Sequence, residues 1–127
     1  MSSGKPKVLI SDKLSETAIK IFEDNGILVD FDPKIGKAPE KLKKIIGDYD
    51  GLAIRSNTRL TADIIAEASK LKVIGRAGIG VDNVDLSAAS SNGIVVMNTP
   101  FGNSITTAEH TIAMMLSVAR QIPAANV

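Results

Sequence analysis

Gly51-Leu52-Ala53-Ile54-Arg55-Ser56-Asn57-Thr58-Arg59 is the stretch on which the fold turns. An uninterrupted aliphatic run gives way at once to a polar one. So short and continuous a run reads as a strand covered by helices on both faces, the habit of parallel sheets. The same unit recurs on either side. Val8-Leu9-Ile10 closes in Ser11-Asp12, and Ile27 to Phe31 ends in the loop Pro33 to Pro39. Lys72 to Arg76 empties into Ala77-Gly78-Ile79-Gly80-Val81-Asp82-Asn83, and Ile94 to Met97 into Asn98-Thr99-Pro100-Phe101-Gly102-Asn103-Ser104.

Helical spacing fills the gaps. Leu14, Ala18, Ile21 and Phe22 share one face behind Ser15, a suitable N-cap, and Asn25-Gly26 stops that helix. Pro39 opens a second helix with the stripe Leu42, Ile45 and Ile46, leaving Lys41, Lys43 and Lys44 as a solvated face. Thr61 caps a third, with Ile64, Ile65, Ala68 and Leu71 inward, and a fourth runs from about Asp85 to Ser91. Thr106 and Glu109 read as a capping box for a long apolar helix carrying Ile105, Ile112, Met115 and Leu116 and ended by Pro123. Five βα units predict an α/β fold: a flavodoxin-like, doubly wound parallel five-stranded sheet of order 2-1-3-4-5, plus a long C-terminal helix.

Composition narrows the function classes. The chain has 127 residues, 44% apolar and 23% charged, with net charge +1. That is one domain's worth of core and no basic footprint for nucleic acid. Without cysteine, disulfides, thiol catalysis and cysteine zinc sites are excluded, and a lone histidine, His110, excludes multi-histidine metal sites. No apolar run approaches the roughly 18 residues of a membrane span, and the start lacks a signal-peptide core. The expectation is a soluble cytoplasmic domain with residues 1–6 as a flexible start.

Ligands of open parallel sheets bind beyond the carboxyl ends of the strands. There the sequence gathers Ser11 and Asp12, then Arg55, Ser56 and Asn57, then Arg76, Ala77, Gly78, Ile79 and Gly80, then Asn98, Thr99, Gly102 and Asn103. Guanidinium forks and glycine-exposed amides suit a carboxylate or phosphate. Gly78-x-Gly80-x-x-Asn83 misses the dinucleotide fingerprint: its third glycine is absent and it follows the fourth strand, not the first. A phospho-acceptor receiver would need an Asp at the end of the third strand, where Arg55 stands. His110 lies roughly opposite the apolar stripe of the last helix and reads as a surface or interface residue, not a catalytic base.

Val8-Leu9-Ile10-Ser11-Asp12, Gly51 to Ser56, Gly75 to Asp85, and Val96 to Pro100 with Gly102-Asn103-Ser104 and Ala108-Glu109 resemble the D-isomer-specific 2-hydroxyacid dehydrogenases. Ile54-Arg55-Ser56 with Gly75-Arg76-Ala77-Gly78 points to their phosphoglycerate branch. The resemblance covers about Lys7 to Pro123. It implies NAD-dependent oxidation of 3-phospho-D-glycerate to 3-phosphohydroxypyruvate, the entry to serine synthesis. It implies a substrate-binding lobe over residues 7–98, with 99–127 the linker and first helix of an NAD-binding domain. Arg55, Ser56, Asn57, Arg76, Ala77, Gly78 and Asn103 match substrate-contacting positions, and Ile79 and Gly80 match positions near the nicotinamide. Ile79 stands where this branch often has Thr, so only packing or backbone contact survives there. The family's GxGxxG loop and catalytic Arg, Glu and His have no match in this chain. The expectation is therefore the amino-terminal part of such an enzyme, inactive alone, binding a small anion and self-associating through about residues 105–120. A stand-alone anion-binding regulatory module, or a glycerate or hydroxypyruvate reductase, are the alternatives.

Overall fold

The computed structural model describes residues 4–126, so residues 1–3 of the expected flexible start lie outside the described residues. Five parallel strands, β1 (Lys7–Ile10), β2 (Leu28–Phe31), β3 (Gly51–Ile54), β4 (Val73–Arg76) and β5 (Val95–Met97), form one sheet in the order β2-β1-β3-β4-β5. The helices between them are α1 (Glu16–Asp24), α2 (Pro39–Ile45), α3 (Ala62–Ala66) and α4 (Leu86–Ser91), followed by α5 (Ser104–Ala119) and α6 (Ile122–Ala125). The expected α/β class and strand order hold.

Local chemistry explains the helix starts and stops. Ser15 caps α1 by accepting from the Ala18 amide, and Asp85 caps α4 by accepting from the Ala88 amide. Gly26 and Gly93 end these helices at φ +75° and +69°, a region that disfavours any side chain with a Cβ. Pro39 occupies the first turn of α2, where its missing N–H has no partner to lose.

Alternation along the strands splits the core. Leu9, Leu52, Ile54 and Ile74 face α2, α3 and α4 and pack with Leu42, Ile46, Leu60, Ile64 and Ile65. Val8, Ile10 and Ala53 face the other way, against Ile19, Phe22 and Val29. Each fully buried Leu or Ile contributes about 1.5–3 kcal/mol.

Four expectations need correction. In α1 the inward residue is Ile19 and not Ile21, which is 58% exposed. Both meet the apolar spacing, and only the angle at which the helix crosses the sheet selects between them. The sheet is not covered on both faces throughout: α1 covers β1 and its neighbours, while Val95 and Met97 of β5 stay exposed on that side. Thr106 is no cap, because α5 already begins at Ser104, behind Asn103, and a hydroxyl inside a helix has no free first-turn amide to accept from. Nor does Pro123 stop α5; the chain breaks at Arg120 and at Gln121, in the left-handed region at φ +52°, and the proline sits in the first turn of α6.

α5 does not return to the sheet. Its apolar side chains are exposed along its whole length, with Ile105 at 75% and Val118 at 70%. Among the described residues, no helix is long and apolar enough to cross a membrane.

Candidate anion site

The loops after β3, β4 and β5 meet at the carboxyl edge of the sheet. Arg55, Ala77, Gly78 and Asn103, together with Thr99 and Gly102, line an open cavity of about 350 Å³. All six were gathered at this edge in the sequence, and Arg55, Ala77, Gly78 and Asn103 are the four that the family resemblance matched to substrate-contacting positions.

Arg55 is the first residue past β3. Its guanidinium donates to the Lys13 carbonyl at 3.3 Å, and the group remains exposed. The Ala77 amide donates to the Ile54 carbonyl at 2.9 Å and continues the β3–β4 ladder by one step, which brings Arg55 and Gly78 to the same opening. The turn after β4 is stapled to the loop after β5. Thr99 gives both its amide (2.9 Å) and its hydroxyl (3.3 Å) to the Gly78 carbonyl, and the Asn98 side chain donates to the Ile79 carbonyl at 2.8 Å. Asn98 and Thr99 thus shape the wall, a role their position after β5 suggested without specifying the partner.

Ser56, Asn57, Arg76, Ile79 and Gly80 do not line this cavity. The amides of Ser56 and Asn57 make no hydrogen bond among the described residues. The Arg76 guanidinium folds back onto the Gly80 carbonyl, and its Nε is buried without a partner among the described residues. Arg76 instead borders a neighbouring apolar groove with Leu14, Phe22, Ala53 and Met97.

Two further residues anchor the floor: Asp12, which the sequence placed at this edge after β1, and Asn83, noted there only as the residue in place of a third glycine. Asp12 and Asn83 are both buried and both bond the backbone of the loop after β3. The sequence carried a faint signal for each: Asp12 is the second residue after β1, and Asn83 stands where a third glycine would complete the fingerprint.

The described residues do not fit a dinucleotide. A cradle for its pyrophosphate needs open space over the glycines, whereas the Arg76 guanidinium lies 3.1 Å from a Cβ built at Gly78 and 3.3 Å from one at Gly80. The Ile79 side chain, 43% exposed, offers a flat ring an apolar contact. No group of three or more His, Cys, Asp or Glu side chains among the described residues is arranged to hold a metal. The perturbed carboxylates lie elsewhere. Asp30 is held below the usual carboxylate range by the Lys7 ammonium at 2.8 Å and the Tyr49 hydroxyl at 2.7 Å, and burial with the Asp30 charge pushes the Tyr49 phenol up.

An open, doubly wound α/β lobe with a cavity at its carboxyl edge is a class shared by many proteins. Comparison narrows it. Residues 8–124 match the model of the D-isomer specific 2-hydroxyacid dehydrogenase catalytic domain, and the chain belongs to that family. It is 48% identical over 120 residues to a D-3-phosphoglycerate dehydrogenase of Archaeoglobus fulgidus, covering 94% of this chain and 22% of the relative. It is 52% identical over 119 residues to the Homo sapiens protein of the same name, with the same 94% and 22% coverage. The crystal structure of an NAD+-bound 3-phosphoglycerate dehydrogenase from Entamoeba histolytica superposes with a TM-score of 0.76 at 36% identity, covering 90% of this chain and 39% of that one. The chain thus spans about a fifth of the length of these curated relatives, 22% in each case.

Proposed function

We propose that this chain forms the substrate-binding lobe of an NAD-dependent D-3-phosphoglycerate dehydrogenase, which oxidises 3-phospho-D-glycerate to 3-phosphohydroxypyruvate at the entry to serine synthesis in the cytoplasm. The observation that carries the reading is the convergence of Arg55, Ala77, Gly78 and Asn103 on one cavity. The similarity to D-3-phosphoglycerate dehydrogenases supports it.

Arg55 supplies the cation. Its fork meets a carboxylate or phosphate with two parallel N–H bonds, and its resting contact with the Lys13 carbonyl is long enough to give up cheaply. Ala77 and Gly78 supply the cavity wall facing Arg55. Asn103 offers a neutral donor in the cavity wall, and Ser56 and Asn57, outside the cavity, keep free amides in the loop that carries Arg55. No hydride-transfer step is assigned to these residues, and the 127 residues contain no GxGxxG turn. The lobe covers residues 7–98, and residues 99–127 form the linker and the first helix of the nucleotide-binding part. The exposed apolar surface of α5 serves self-association of two such chains.

Titration calorimetry with 3-phospho-D-glycerate tests the reading. The wild-type chain should bind it more tightly than D-glycerate, and Arg55→Ala should weaken binding about tenfold, the worth of one charge-assisted contact. The chain with NAD and 3-phospho-D-glycerate should produce no reduced nicotinamide. Equal affinity of wild type and Arg55→Ala removes Arg55 from the site, and sustained turnover refutes the assignment of the chain to substrate binding alone.

A further inference from the structure

We propose that Asp12 and Asn83 are positioning residues that fix the Arg55–Thr58 loop from opposite sides and thereby aim Arg55 at the anion. The inference rests on the anion-site reading above. Asp12 is fully buried. Its Oδ2 accepts from the Arg55 amide at 2.6 Å and from the Thr58 amide at 3.1 Å. Asn83 is 9% exposed, and its Nδ2 donates to the carbonyls of the same two residues, each at 2.7 Å. One side chain therefore takes the N–H groups of Arg55 and Thr58, and the other takes their C=O groups.

The consequence is geometric. A residue whose own N–H and C=O are both tied to buried groups has a fixed Cα–Cβ direction. Arg55 keeps a mobile guanidinium on a fixed stem. The loop between the two anchor points cannot slide, because a shift that shortens one pair of bonds stretches the other. Placement errors of about 1 Å suffice to cost a binding or reacting group most of its effect. The clamp is itself braced. The Leu60 amide donates to the Asn83 carbonyl at 2.8 Å, and the Asp85 amide donates to the Leu60 carbonyl at 2.9 Å, so Asn83 is held from the chain that leads into α4. Asp12 belongs to the turn after β1 and Asn83 to the turn after β4, so the clamp joins three loops at the sheet edge. Asp12 brings no attraction for an anion; its charge would oppose one. Its value to the site is its acceptor oxygen.

That distinction supplies the test. 3-Phospho-D-glycerate is titrated into the full chain carrying Asp12→Asn, Asp12→Ala or Asn83→Ala, each alone and combined with Arg55→Ala, well below every variant's melting temperature. Leu71→Ala, a buried substitution outside the cavity, controls for lost stability. Asp12→Ala and Asn83→Ala should weaken binding at least tenfold, while Asp12→Asn, which keeps an oxygen for the two amides, should stay within about twofold of wild type. Neither Ala variant should weaken binding further once Arg55 is gone. Wild-type binding with Ala variants as tight as Leu71→Ala overturns the positioning role and leaves the anion site standing. A wild-type chain that binds no 3-phospho-D-glycerate overturns both. If the Ala variants fail to fold, amide hydrogen exchange of the wild type decides: the Arg55 and Thr58 amides should exchange far more slowly than those of Ser56 and Asn57, and equal rates overturn the clamp.

Discussion

Ser11 and Thr58 offer a sharp test of how the site's floor is held. Both side chains are fully buried, and their hydroxyls lie 2.8 Å apart. Thr58→Val replaces a hydroxyl by a methyl of nearly the same volume, so no cavity opens. What changes is that the Ser11 hydroxyl loses its side-chain partner in a place water does not reach. Leaving a buried polar group unsatisfied costs about 1–3 kcal/mol. Ser11→Ala should cost less, about 1 kcal/mol, because the Thr58 hydroxyl keeps its 3.4 Å contact with the Ser11 carbonyl. The double variant removes both groups and leaves less to satisfy. It should therefore be destabilised by less than the sum, with a coupling of about 1–2 kcal/mol. Urea unfolding followed by far-ultraviolet circular dichroism measures all four corners of the cycle. In thermal terms each kcal/mol is worth roughly 4 °C for a chain of this size. If the double variant equals the sum of the singles to within about 0.5 kcal/mol, the two hydroxyls are not partners and the reasoning fails.

Gly36 is needed for space and not for backbone freedom: a Cβ there would stand 2.7 Å from the Ser11 carbonyl oxygen. Gly36→Ala should cost about 2 kcal/mol by urea unfolding, and Gly26→Ala, where φ is +75° with nothing within 4 Å, about 1 kcal/mol. The Lys7 and Tyr49 contacts depress the folded-state pKa of Asp30, so the unfolded chain binds its proton first as pH falls. Their stabilisation is full well above the ordinary value of 3.8, declines below it and is lost as pH drops through the depressed folded-state pKa, so the urea midpoint should fall less between pH 7 and about pH 3 in Asp30→Asn than in wild type. Leu116→Lys on α5 should abolish self-association in sedimentation while moving the lobe's melting temperature by less than about 2 °C, because an exposed substitution costs at most about 0.5 kcal/mol. A wild-type chain that stays monomeric at high concentration removes the interface.

The anion site was partly legible because its parts are local. Arg55, Gly78 and Asn103 each lie in the loop that follows a strand, and parallel sheets place all such loops on one edge. Arg76 belongs to the same sequence pattern, yet its guanidinium turns back on the Gly80 carbonyl. Nothing in the spacing distinguishes it from Arg55, since the choice depends on which acceptor lies within reach.

The alternation of short aliphatic runs with helical stripes determined by itself the class, the strand order and the edge on which polar groups gather. Hydrophobic period and turn chemistry are properties of neighbouring residues, and connection handedness does the rest. Only the tertiary structure decided that Ile19 and not Ile21 turns inward, that α5 leaves the sheet with β5 half bare, and that Asp12 and Asn83 grip one loop. Those bonds join residues 43 and 25 positions apart. A buried Asp or Asn bonds whatever backbone the fold delivers to it, and periodicity carries no record of that partner.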